Sequence, residues 1–425
     1  MSRVVCVHPD LLPDVLAPGV DYFTVYRSSG NDRVSTVGTG LLRDIERDGL
    51  CPTSTAWDFT TFALSVSAAD QAVSRGQSPD GWTRVMELSV AMSEPGPFLR
   101  QRARLEGMLR YLTGDFWHLD FEEGGEPAPR STAPKRFDAD CVSLLSGGVD
   151  SLVGAIDLSS AGARPLFVSQ MAKGDSETQV HYARQLGGAD RHLQWNHNIR
   201  VKHATERSTR ARSIVFFAFS VLAACELHAQ HGGDVRVVVP ENGFISLNVP
   251  LNAGRAGSLS TKTTHPVFLD TLQEVTSALG LPVVLERPYA FKTKGELMAE
   301  CANPGLLSQL VGRSTSCGRY GYYNYTHCGR CVPCLVRRAS FLAAGMPDTT
   351  RGYHFTTLRT AGRKSGANDI GAVAGAVLRV EREGPRSLTA GQLSFAAPAE
   401  RVEYERVVVQ GLRELGALLR RDAVL

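Results

Sequence analysis

The chain has 425 residues, of which 43% are hydrophobic and 21% charged, and its formal net charge is +3. This composition belongs to an ordinary globular protein with enough apolar material for a sizeable core, and it excludes wholesale disorder and fibrous repeats. The charge is too small to point to a nucleic-acid or membrane partner, and at ~150 residues per domain the length suggests two or three domains.

Residues 1–135 read as a mixed α+β extension ending in a linker. The opening residues MSRVVCVHPDLLPD carry acids and prolines where a secretory signal needs an apolar run, so a cytoplasmic chain is expected. Met86, Leu88, Val90 and Met92 alternate with Glu87, Ser89 and Ala91, which predicts a strand with one buried face. Leu105, Leu109 and Leu112 fall at helical spacing, and residues 116–121 alternate again. Residues 122–136, EEGGEPAPRSTAPKR, have no apolar period and predict a linker or a long exposed loop.

Residues 136–346 change character. Short apolar runs at 141–145, 165–169, 235–239 and 281–285 alternate with helical patterns at 149–156, 180–186, 214–229 and 268–279. That alternation predicts an α/β domain with a parallel sheet covered on both faces. The apolar stretch 213–225 is too short to span a bilayer and reads as a buried helix. Residues 347–425 form a mainly helical extension: a polar Gly-rich loop at 360–371, then an amphipathic helix carrying Val408, Leu412, Leu415 and Leu419. No internal repeat is visible by eye.

Two motifs carry chemistry. Ser146-Gly147-Gly148-Val149-Asp150-Ser151 lies between an apolar strand and a helix. Glycines let the backbone approach a phosphate, and the free N–H groups of a helix start favour an anion. The spacing is not that of a Walker loop. The second motif is Cys317, Cys328, Cys331 and Cys334, four thiols within 18 residues. Such a set suits one tetrahedral Zn²⁺, while a redox pair and an iron–sulfur cluster are competing readings. His327, beside a ligand, reads as a surface residue. The other five cysteines read as reduced thiols.

Further candidates are less specific. Arg207, Arg210 and Arg212 precede the buried helix where capping acids are expected, which points Arg212 to an anion. Lys294 starts a helix. Glu241 and Asn242 follow an apolar strand, where ligands of open α/β sheets bind. They suit the polar edge of a base, and equally a plain turn. His265 before Pro266 suits a substrate contact or a base, and equally a loop residue.

The SGGVDS loop resembles the PP-loop of the ATP pyrophosphatases, which cleave ATP between the α and β phosphates. Together with the CGRCVPCLVRR element, residues 140–345 resemble the QueC family of 7-cyano-7-deazaguanine synthases. Arg212-Ser213 with Phe216 and Lys294 with Glu296 align with that family's Arg-Asn-x-x-Phe and Lys-x-Glu segments. Ser213 replaces the Asn, and Ser260-Thr261-Lys262-Thr263-Thr264-His265-Pro266 stands where the family has Tyr-Pro-Asp-Cys-Arg. The layout is similar to the QueC-like component (QatC) of Qat anti-phage defence systems, which implies one or more partner proteins.

The resemblance implies ATP, Mg²⁺ and structural Zn²⁺. It implies adenylation of a 7-deazaguanine carboxylate, or amide, and transfer to an amine. Ser146, Gly147, Gly148, Asp150, Ser151 and Arg212 would bind ATP. Lys294, Arg212 and Asp150 would serve catalysis, and Glu241, Asn242, Thr264 and His265 the substrate. A tRNA-thiolating PP-loop enzyme and a non-catalytic nucleotide-sensing subunit are the alternatives.

Overall fold

The computed structural model describes residues 2–203, 205–206, 208–251, 262–359 and 369–425. Arg207, Ser260, Thr261 and most of the expected Gly-rich loop (360–368) lie outside the described residues.

Ten strands form two five-stranded sheets, each with parallel pairing throughout. The first holds β1 (Ser2–Val7), β2 (Val20–Val25), β3 (Ser35–Val37), β4 (Val85–Met92) and β5 (Phe116–Glu123), in the order β3-β2-β1-β4-β5. The second holds β6 (Cys141–Leu144), β7 (Pro165–Gln170), β8 (His192–Trp195), β9 (Val235–Val238) and β10 (Val283–Glu286), in the order β10-β9-β6-β7-β8. Read from its own first strand, each sheet has the same order. The first strand is central, the second and third lie to one side, and the fourth and fifth lie to the other.

The N-terminal unit is therefore α/β with a parallel sheet, which corrects the expected mixed α+β extension. β1 (SRVVCV) opens on two polar residues and β2 (VDYFTV) is interrupted by Asp21 and Thr24, and burial concentrates in their C-terminal halves. β1 offers an apolar run of four residues, Val4–Val7, and β2 none that long, a weaker signal than the continuous run of a buried parallel strand.

The crossover from the third to the fourth strand is a 19-residue helix in both halves, Ser54–Ala72 and Ser213–His231. The two helices pack against each other, and one hydrophobic cluster runs from Val4, Phe23 and Phe62 through Phe217 and Leu222 to Val142 and Val237. Ser54–Ala72 is buried along most of its length despite its polar residues. Thr60, Thr61 and Ser65 return their hydroxyl protons to the carbonyls of Ala56, Trp57 and Thr61, at 3.0, 3.1 and 2.8 Å. Ser213–His231 extends six residues beyond the apolar stretch read from sequence. By length and a mean hydropathy of 1.5 it could cross a membrane, yet here most of it is buried within the protein.

A charged cluster joins the ends of these helices. Asp115 accepts two hydrogen bonds from the Arg75 guanidinium at 2.8 Å, one from the Arg84 guanidinium at 2.7 Å and one from the Arg84 backbone N–H at 3.0 Å. Asp70 accepts the backbone N–H groups of Arg210 and Ala211 at 2.5 and 2.7 Å. The Arg210 guanidinium lies 4.7 Å from the Trp82 ring centre. Arg210 is thus part of the helix junction.

Residues 124–136 are irregular and mostly exposed, with a few buried anchors at and beyond their ends. Glu126 is buried and accepts from the Arg27 guanidinium at 2.6 and 2.7 Å, and Phe137 is buried. The C-terminal helices Ile370–Glu383, Arg386–Thr389 and Pro398–Arg421 form a separate apolar cluster with Val332–Ala343, in which Leu335 and Val336 meet Val373, Leu412 and Leu415.

Candidate functional site

The SGGVDS loop leaves the C-terminal end of β6 and enters the helix Val149–Ser160. Gly147 adopts φ +88°, a left-handed conformation that a side chain would strain. The Gly148 N–H donates to Ser146 Oγ at 3.3 Å. The Ser146 hydroxyl donates to Ser151 Oγ at 3.1 Å, and the Ser151 hydroxyl donates to the Gly148 carbonyl at 3.1 Å. The loop is thus closed on itself at the helix start by its own hydroxyls.

Above it lies a cavity of about 370 Å³, within the range of small-molecule sites. It sits at the carboxyl ends of β6 and β9, between which the connections of the sheet reverse direction. Ser146, Gly148, Asp150, Ser151, Glu241, Thr264 and Lys294 line it among others. Two groups of its wall were not expected from the sequence. Phe217 and Ile245 supply apolar surface, and Thr315, Ser316 and Pro333 come from the cysteine element. Phe217 adjoins Phe216, which also lines the cavity, and Ser316 adjoins Cys317, which were the available signals.

Asp150 and Lys294, 144 residues apart, meet at 2.5 Å between Oδ1 and Nζ, and both are buried. The other Asp150 oxygen accepts from Asn242 Nδ2 at 2.6 Å and from its backbone N–H at 3.3 Å. Burial works to raise the Asp150 carboxyl, but the Lys294 ammonium and these donors outweigh it and hold it below the usual carboxylate range. Glu241, on the cavity wall, is held well above that range by burial and then by the neighbouring Asp150 charge. Two adjacent carboxyls are thereby driven apart, the proton affinity of one lowered and that of the other raised.

Other expected residues are placed differently. Asn242 does not line the cavity. Its amide nitrogen is committed to Asp150, and its Oδ1 accepts from Ile245 N–H at 3.1 Å as the cap of a short helix. His265 also lies outside the lining. Its Nδ1 accepts from Val267 N–H at 3.2 Å and meets the Tyr111 hydroxyl at 2.8 Å. Burial, then Lys262 and Arg287, pushes its imidazole down to about 4, so it is neutral. Arg212 is exposed at the cap of Ser213–His231, outside the lining. Its charge bears on Asp175, which packs against Gly147 of the SGGVDS loop. The two departures from the family pattern meet, because the Thr263 hydroxyl donates to Ser213 Oγ at 2.9 Å.

The four thiols of Cys317, Cys328, Cys331 and Cys334 are buried with all sulfurs within 4.8 Å of one another, and they can hold a metal ion. The pairs Cys317–Cys331 and Cys328–Cys334 are 3.9 and 3.8 Å apart, the edge length of a tetrahedron with ~2.3 Å metal–sulfur bonds being about 3.8 Å. Backbone N–H groups of Cys328 and Cys331 point at Cys317 and Cys328 sulfurs, each at 3.3 Å. His327 is buried, not on the surface as expected. Its Nε2 accepts from Ser316 N–H at 3.2 Å and joins the two arms of the element. Among the described residues this is the one cluster of three or more metal-ligating side chains.

No protein-family model matches the chain, and no curated protein matches it.

Proposed function

We propose that the protein is a QueC-like PP-loop enzyme that uses ATP to adenylate the carboxylate of a 7-deazaguanine and transfers the acyl group to an amine. The observation that carries this reading is the SGGVDS loop at a helix start, opening into a cavity that also holds Lys294 paired with Asp150. The carboxylate oxygen would attack the α-phosphorus of ATP and pyrophosphate would leave. An amine would then attack the acyl carbon, lose a proton and release AMP.

Ser146, Gly147, Gly148 and Ser151 suit the leaving pyrophosphate. Lys294 supplies the cavity with a fixed cation, and Arg212 offers a second at the flank of the loop. The apolar wall of Phe217 and Ile245 suits a flat base, and Glu241 and Thr264 offer it polar contacts. Both Asp150 oxygens are already engaged, so Mg²⁺ would enter on the nucleotide phosphates. For the cysteine cluster we propose structural Zn²⁺, because four thiolates close a tetrahedral sphere and leave no open position.

The thiolation alternative wants a reactive cysteine in the site. Among the described residues no cysteine lines the cavity, and burial pushes Cys6, Cys141 and Cys225 up to about 12. The same QueC-like reading implies a cytoplasmic enzyme working with partner protein(s) of an anti-phage system, one of which would offer the amine in place of ammonia.

The decisive experiment is pyrophosphate exchange into ATP with 7-carboxy-7-deazaguanine, followed by mass spectrometry of products with ammonia and with co-purified partner. Acid-dependent exchange and one zinc per chain are expected. Absence of exchange with zinc-loaded protein would falsify the deazaguanine reading.

A further inference from the structure

We propose that Glu414, on the C-terminal helix Pro398–Arg421, is a positioning residue for Lys294: it completes the cap of the helix that begins with Lys294 and so holds the ammonium in the cavity. This rests on the adenylation reading above, which gives Lys294 its work.

Lys294–Ala299 is six residues long, too short to be stable on its own. Its start is fixed by a capping box. Thr293 Oγ1 accepts from Glu296 N–H at 3.1 Å, and Glu296 Oε2 accepts from Thr293 N–H at 2.7 Å. With the Thr293 oxygen used as an acceptor and the residue wholly buried, its hydroxyl proton needs a partner of its own. Glu414 Oε1 takes that proton at 2.5 Å, from a helix 121 residues further along the chain. The contact is close on the backbone side too. A Cβ on Gly295 would lie 2.7 Å from Glu414 Oε2, so glycine is required beside Lys294.

The second half of the box is gripped from the same helix. Arg406 donates to Glu296 Oε1 at 2.6 Å and to the Phe291 carbonyl. Arg406 and Glu414 are eight residues apart, about two helical turns, so they share one face. Neither lines the cavity. An effect of Glu414 on the chemistry must therefore pass through the helix that carries Lys294. A displacement of ~1 Å at a reacting group costs about 100-fold in rate, so this contact is where the C-terminal extension can set activity.

The test uses the full chain in the exchange assay, with Lys294→Ala, Glu414→Ala, Glu414→Gln, Thr293→Val and Thr293→Ser, each checked for zinc content and a cooperative melt. Glu414→Ala and Thr293→Val should lower kcat about 10-fold to 100-fold while KM for ATP stays nearly constant, the mark of a lost transition-state interaction. Glu414→Gln and Thr293→Ser keep an acceptor and a hydroxyl, and should retain most of kcat. If Glu414→Ala does not fold, the Thr293 pair decides alone. Wild-type kcat in folded Glu414→Ala or Thr293→Val, with Lys294→Ala inactive, would overturn the positioning role and leave the adenylation reading standing. An equal loss in folded Glu414→Gln and Glu414→Ala would overturn it as well. Wild-type exchange in Lys294→Ala would overturn the role given to Lys294 itself.

Discussion

Asp150 and Lys294 form an ion pair that is nearly closed to water, with Glu241 as a third neighbour whose carboxyl is pushed above its usual range. Removing one member of a buried pair leaves the other without compensation and costs about 3–5 kcal/mol. Asp150→Ala and Lys294→Ala should each lose stability on that scale, whereas the double variant should lose less than the sum by ~1–3 kcal/mol. Urea unfolding of the four proteins closes the cycle, and strict additivity would show that the pair is not coupled. Asp150 and the loop were legible in sequence because their residue types sit at fixed offsets in a strand–turn–helix, whereas Lys294 was singled out only by its resemblance to a Lys-x-Glu segment. Asn242 and His265 were not. An Asn before Gly and a His before Pro look alike whether the side chain faces a ligand or caps a helix. Here each accepts a backbone N–H from its own following helix.

Between elements, the contact of Pro398–Arg421 with Lys294–Ala299 buries a carboxyl whose titration can be followed. Burial pushes Glu414 up to about 7, against an ordinary value of 4.5, while the Thr293 hydroxyl, the Gln410 amide and the Gly295 N–H pull it down and Glu296 adds to the rise. The folded state then holds a proton that the unfolded state has released. The resulting stability is full below pH ~4.5 and is lost as pH rises through ~7, a change of roughly 3 kcal/mol at ~1.4 kcal/mol per unit. Glu414→Gln should flatten that part of the profile, as measured by urea midpoints at pH 5 and 7.5. A slope identical to wild type would mean that Glu414 is ionised across the range. Helices with a regular apolar period, such as Pro398–Arg421 and Pro266–Ala278, were readable in advance. Ser54–Ala72 was not, because its hydroxyl residues look solvent-facing until their i−4 carbonyl bonds are seen. The edge strand β8 escaped for a related reason, since only Leu193 and Trp195 of its four residues are buried.

Across the whole molecule, two sheets of the same strand order share one core through their equivalent crossover helices. The sequence shows no repeat, because packing constrains only volume and polarity at each buried position and leaves identity free. The SGGVDS loop follows the first strand of the second half only. After β1 the chain instead enters the short turn Pro9–Leu11. The boundary near residue 135 marks a change of sheet within one shared core. A chain of residues 136–425 would expose the side of Ser213–His231 that now meets Ser54–Ala72, and would leave Arg210 and Ala211 without the Asp70 carboxylate. Each large apolar side chain returned to water costs ~1.5–3 kcal/mol, so a handful equals the whole ~5–15 kcal/mol by which a domain is stable. That fragment should be recovered as aggregate, and co-expression of residues 1–135 should restore a soluble complex, as read by size-exclusion chromatography and thermal melting. A monomeric 136–425 fragment with a cooperative melt would show that the second sheet closes its own core, and that the first is an accessory to it.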